Sequence, residues 1–273
     1  MTAIAWPGQE ALAASIAEIA DNASGFPGIG ALPDRPIRII LAPTRAKYDS
    51  LTRGRLPMWS EGAAFPDAGT IVLLTGSTAR PAFALRHELA HLALRWRAGH
   101  RAPLWFEEGY AAVAAREWDR FDALRLNWQL ARGVRMNLDQ VDRALRGASD
   151  QAATGYALAA TAVLMLERWG GDAGLAPLIG NLSQAATFDD ALRITYHVTE
   201  GDFEQRWQKE IGSRYGFLSW VAAMGFFWLA VGAVLAALVG IRRRRNQARR
   251  AALEADDRRT DESQLLDELE IEE

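Results

Sequence analysis

Two of the chain's four histidines stand one helical turn apart, at His87 and His91 in the run RHELAHLALRW, with Glu88 between them. Side chains four residues apart share one face of a helix. Two such imidazoles can ligate one divalent ion, and zinc accepts nitrogen and carboxylate oxygen at about 2.0–2.2 Å. A carboxylate beside the ion is placed to move a proton. The plain alternative is a histidine pair on the surface of an amphipathic helix, and a third ligand decides between the two. Candidates lie in APLWFEEGYAAVAA, residues 102–115, where sixteen residues separate His91 from Glu108. If the chain turns at AGHRA, this second helix packs on the first and Glu107 or Glu108 reaches the ion. Against this, acids in a first helical turn are favoured by the helix dipole alone.

The histidine helix needs a start, a stop and a buried side. Ser77 or Thr78 can cap it, Pro81 falls in its first turn and Gly99 ends it. Leu85, Leu89, Leu92 and Trp96 form a core stripe on a face well round from the histidines. Upstream, Gln9–Asp21 reads as a short amphipathic helix with Leu12, Ile16 and Ile19 on one face. A Gly- and Pro-rich loop follows. Its G-I-G is no dinucleotide fingerprint, because Pro33 takes the place of the third glycine and no strand precedes it. Ile37–Ala42 and Thr70–Thr75 read as strands, Gly62–Phe65 as an edge strand and Thr44–Thr52 as a helix. Beyond Thr78 the pattern is mainly helical, with capping boxes at Thr187/Asp190 and Thr199/Asp202. Trp105, Trp118, Trp128, Trp169 and Trp207 recur at helical spacing as core residues, His100 reads as a loop residue and His197 as a helix-end residue. The fold class is α+β: a small mixed β-sheet packed on the histidine helix, then a helical subdomain.

The 273 residues include 49% hydrophobic side chains, enough for a core. A net charge of -3 and a pI near 5.9 speak against nucleic acid as a partner. With no cysteine, disulfides, thiolate metal sites and cysteine nucleophiles are excluded. Residues 216–241 carry no charge and read as one C-terminal transmembrane helix, since 20 or so apolar residues cover a ~30 Å hydrocarbon core. Trp220 sits as an interfacial anchor, and Arg242–Arg245 with Arg249 and Arg250 read as a cytoplasmic flank. This expectation makes the protein single-pass in the cell membrane, with residues 1–215 extracytoplasmic and a cytoplasmic tail. The N-terminus is not a signal peptide, so either an export signal lies upstream of Met1, the favoured expectation, or the topology is inverted. The domains expected are 1–34, an N-terminal helix and loop; 35–215, the site-bearing domain; 216–241, the membrane helix; and 242–273, a basic then acidic tail.

HELAH is an H-E-x-x-H motif. Followed by WFEEGYA, it resembles the gluzincin metallopeptidases, in particular the branch with HExxH and W-x-x-E-G-x-A and its compact peptidase MA-like bacterial domains. The resemblance covers most of residues 35–215, and its metal motifs are the specific part. It implies Glu108 as third ligand, beside His87 and His91, with Glu107 at a variable position. It implies Glu88 as the general base and Tyr156, at the start of a later helix, as donor to the oxyanion; Tyr110 and Tyr196 are weaker choices. It also implies that Thr70–Thr75 or its edge neighbour pairs with an extended peptide. There are departures: Ala112 stands where thermolysin-like members place an aspartate, and no G-x-M-E-N run is present, so aminopeptidase activity is not implied. The expected function is a membrane-anchored zinc peptidase (Zn2+ as cofactor, a peptide or protein as substrate). A catalytically silent gluzincin-fold binding or scaffold domain is the alternative, and an adaptor working through its acidic tail is a remote third.

Overall fold

In chain order, the elements are β1 (Thr2–Ile4), α1 (Glu10–Asp21), β2 (Arg38–Ala42), α2 (Arg45–Thr52), β3 (Gly62–Phe65), β4 (Thr70–Leu74), α3 (Pro81–Ala98), α4 (Leu104–Ala115), α5 (Leu138–Leu145), α6 (Ser149–Trp169), α7 (Ala176–Leu182), α8 (Phe188–Tyr196) and α9 (Glu200–Tyr215). The computed structural model describes residues 1–54, 56–76, 81–99, 102–116, 136–215, 228–243 and 245–246. The chain divides into two units, Met1–Leu218 and Ser219–Glu273.

The first unit is α+β. Its sheet has the order β1-β2-β4-β3. β1, β2 and β4 run parallel, while β3 is antiparallel to β4. β4, Thr-Ile-Val-Leu-Leu, is buried along its whole length, as a strand covered on both faces should be. Ile71 and Leu73 point into the main core with the α3 stripe Leu85, Leu89 and Leu92. Val72 and Leu74 pack on the other face against Ala42, Ala63 and Tyr48 of α2. The sheet is thus clamped between α3 and α2, and β3 lies at its edge.

Local signals set most of the boundaries. Thr44 caps α2 by accepting from the Lys47 N–H. Thr187 accepts from Asp190 N–H and Thr199 from Asp202 N–H, opening α8 and α9. Pro81 begins α3, and Gly99 follows its end at φ 78° with its N–H on the Arg95 carbonyl. Trp105, Trp207 and the Phe203 beside them are buried, and Trp169 packs against the same core. The expected cap at Ser77 or Thr78, the loop position of His100 and the core positions of Trp118 and Trp128 lie outside the described residues.

Three readings change. Residues 2–4 form a fourth strand, held by register with Arg38–Ile40; three residues are too few to show a period. Ile19 is 37% exposed while Ile16 is fully buried, so the buried side of α1 is narrower than the helical spacing implies. The expected transmembrane helix is the third: among the described residues no helix is long and apolar enough to cross a membrane. In the second unit the described helix over 228–243 takes in Arg242 and Arg243. Residues 216–227 and the tail from 247 onward lie outside the described residues.

Candidate metal centre

The α3 register turns Leu85, Leu89 and Leu92 into the core and leaves His87 and His91 side by side, ring centroids 4.9 Å apart. α4 packs on α3 and on α6. Its Glu108 Oε2 lies 3.4 Å from His87 Nε2 and 3.7 Å from His91 Nε2. One ligand atom from each of the three residues falls within 4.8 Å of the others. Among the described residues, this is the one cluster of three or more metal-ligating side chains. Glu107, one position earlier, is not in it.

The charges of the cluster are coupled. Burial works to raise the Glu108 carboxyl, but the facing imidazoles, His91 before His87, more than reverse this and hold it well below the carboxylate range. For His91, burial favours the neutral ring, and Glu108 outweighs it to raise the imidazole above its ordinary value. Glu108 thus stays ionised beside the two imidazoles. Two imidazole nitrogens and one carboxylate oxygen converging on a single point are a donor set suited to zinc.

Two close approaches fix the helices that carry this set. Gly109, directly after Glu108, lies where a Cβ would stand 2.5 Å from the Ala159 carbonyl oxygen of α6. The lack of a side chain lets α4 lie on α6. The start of α4 is tied as well: Asp142 of α5 accepts from the Trp105 backbone N–H at 2.6 Å, and the Trp105 indole N–H reaches Glu200 at 3.3 Å.

Glu88, 8% exposed, points from α3 toward β3. Its carboxyl rests over Gly62, whose carbonyl accepts from the Tyr48 hydroxyl at 2.5 Å and the Ser60 hydroxyl at 2.8 Å. Burial pushes the Tyr48 hydroxyl up to about 12, with the Glu88 charge adding to it, so this donor keeps its proton near neutral pH. Arg45 secures the loop before β3 by donating to the carbonyls of Pro57, Met58 and Ser60. That loop presents Trp59, whose ring meets Tyr156 edge-on at 5.9 Å, and Tyr156 in turn lies 6.1 Å from the His87 ring.

Residues 27–213 match the family model of the Peptidase MA superfamily. The chain belongs to that superfamily. No curated protein matches it. Membership points to a peptidase-type function acting on protein or peptide, and the matched span contains the sheet strands β2 to β4 and both helices of the His87–His91–Glu108 cluster.

Of the residues singled out from the sequence of this Peptidase MA member, His87, Glu88, His91, Glu108 and Tyr156 come together. Tyr110 and Tyr196 do not: their hydroxyls donate to the carbonyls of Pro27 and Leu166. His197 is the left-handed residue closing α8. Ala112 is buried at the position where thermolysin-like members place an aspartate, so no carboxylate orients a histidine from there. Sequence reasoning missed Tyr48, Trp59 and Gly62. The one signal in the chain was a glycine opening an otherwise regular strand, which marks a bulge or a close approach.

Proposed function

We propose that this protein is a zinc-dependent peptidase of the gluzincin type, with residues 35–215 as its catalytic domain. His87, His91 and Glu108 hold the ion. The observation that carries this reading is the convergence of their three donor atoms within 4.8 Å, with a buried Glu88 on the same helix. When bound, the ion supplies Lewis-acid polarisation of the scissile carbonyl and lowers the pKa of water. Glu88 takes the proton from the attacking water and passes it to the leaving amine. Its burial and its seat against Gly62 keep that carboxylate out of bulk water. Tyr156, beside His87, donates to the oxyanion of the tetrahedral intermediate. An extended substrate pairs with the outer edge of β3, with which no described strand pairs, and so passes Glu88 at Gly62. The geometry of this edge supports a polypeptide as substrate, since main-chain pairing asks for no particular side chain.

The test is metal content of the full chain, with Glu108→Ala and Glu107→Ala beside it. We expect about one zinc per chain, retained in Glu107→Ala and lost in Glu108→Ala. Cleavage of an internally quenched peptide library should then appear with zinc and vanish in Glu88→Gln. A well-folded chain that takes up no zinc when supplied would sink this reading and favour a binding domain on the same fold.

A further inference from the structure

Gly62 opens β3 with a backbone that any residue can adopt, since its φ lies outside the left-handed region where the chain's positive-φ glycines sit. A glycine in a strand weakens it and is kept where something approaches closely. What approaches here is a side chain. A Cβ at position 62 would lie 2.4 Å from Glu88 Oε1 and 2.8 Å from both Cδ and Cγ. Real Cβ contacts below 3.0 Å essentially do not occur, and ordinary contact starts at 3.4 Å.

We propose that Gly62 is a positioning residue for Glu88: the space left by its missing side chain is the seat that sets where the Glu88 carboxylate points. The catalytic part of this inference rests on the peptidase reading above; the packing part does not.

The seat is fixed from behind. Tyr48 and Ser60 hold the Gly62 carbonyl, and Arg45 holds three carbonyls of the preceding loop. The strand is paired to β4 through Gly62 and Leu73. The backbone at 62 therefore has little freedom to withdraw, whereas the Glu88 carboxyl is the far end of a flexible side chain. An added methyl moves the carboxylate and leaves the fold in place. Restoring ordinary contact from 2.4 Å to 3.4 Å displaces it by about 1 Å, and a misplacement of that size costs a reaction roughly a hundredfold.

The experiment combines Gly62→Ala with Glu88→Ala in the full chain. Thermal unfolding of the zinc-free protein reads the contact without any need for activity. Gly62→Ala should lower Tm in the presence of Glu88 and raise it in the Glu88→Ala background, where the glycine's backbone entropy alone counts. The same shift in both backgrounds overturns the proposal. With zinc, Gly62→Ala should keep its metal content and its KM for the best-cleaved library peptide while kcat falls about a hundredfold. An unchanged kcat, or a loss of zinc with Gly62→Ala, also overturns it. If the wild-type chain cleaves no peptide, the peptidase reading fails on its own, and the coupling in Tm still decides whether Glu88 is seated by Gly62.

Discussion

Replacing Gly109 by alanine sets two effects of opposite sign against each other. Alanine favours a helix over glycine by about 1 kcal/mol. The new Cβ, however, would meet the Ala159 carbonyl oxygen at 2.5 Å, its carbonyl carbon at 2.6 Å and Val163 Cγ2 at 2.9 Å. Two of these three atoms are backbone, so rotating a side chain gives no relief. To widen 2.5 Å to the 3.0 Å limit, or to the 3.4 Å of ordinary contact, α4 and α6 must part by about 0.5–0.9 Å. Overpacking of this kind costs about 1–3 kcal/mol, so the net change is a loss of up to about 2 kcal/mol. Glu108 is the adjacent residue and moves with α4. Metal–ligand distances tolerate only about 0.2 Å, and a ligand left out of place by several tenths weakens an ion roughly ten- to hundredfold, the scale seen when the groups supporting a ligand are lost. The assay is zinc affinity of the full chain by competition with a chromogenic chelator, together with urea unfolding. Gly180→Ala in α7 is the control, because nothing lies within 4 Å of a Cβ there and only the helix preference should register. A Gly109→Ala protein that is stabilised like the control and binds zinc like wild type would refute the claim that α4–α6 contact places the third ligand.

Leu89 is fully buried in the main core between the sheet and α4, so Leu89→Ala should lose about 2–5 kcal/mol in urea unfolding; a loss under about 1 kcal/mol would mean the stripe is not the core contact described. Thr187→Ala removes the cap of α8 and should cost about 1 kcal/mol while zinc content stays at the wild-type level, a change in zinc counting against the separation of cap and site. Burial raises the carboxyls of Asp142 and Glu200, and in each the bond to Trp105 offsets only part of the rise. The folded chain therefore holds these protons to higher pH than the unfolded chain, whose values start from 3.8 and 4.5. Their contribution to stability falls as pH rises through that interval and upward to the folded values. Asp142→Asn should flatten this part of the curve in unfolding measured from pH 4 to pH 7, and an unchanged slope would count against burial as the cause.

Local patterns carry a good part of this structure. A strand of alternating or continuous apolar residues, a threonine three residues before its aspartate partner, and two histidines four apart each contain their own instructions within one or two turns of chain. Gly62–Phe65, Thr44 and the Leu85–Leu89–Leu92 stripe are legible for that reason. The choice of Glu108 over Glu107 was not in the spacing; it came from the likeness to other W-x-x-E-G-x-A sequences, and in space it depends on Gly109 lying against Ala159 some fifty residues further on. Tyr48, Ser60 and Gly62 act on Glu88 across a sheet edge, and no short window holds both sides of that contact. β1 owes its existence to β2 rather than to its own three residues. Counting apolar residues over 216–241 measured composition alone, and among the described residues no helix is long and apolar enough to cross a membrane.

The three side chains of the candidate metal cluster come from two consecutive helices, with the last only 21 positions beyond the first. Closing so short a loop costs little entropy, and the cost grows only with the logarithm of its length. Contacts of this kind form early in folding. The clamp on α6, by contrast, waits for a segment further along the chain, and so does the arrival of Tyr156. On the peptidase reading proposed above, a chain emerging from synthesis would hold both histidines and Glu108 before it holds the helix that packs behind Glu108 and carries Tyr156. On that reading, the order of the sequence separates metal capture from catalytic competence.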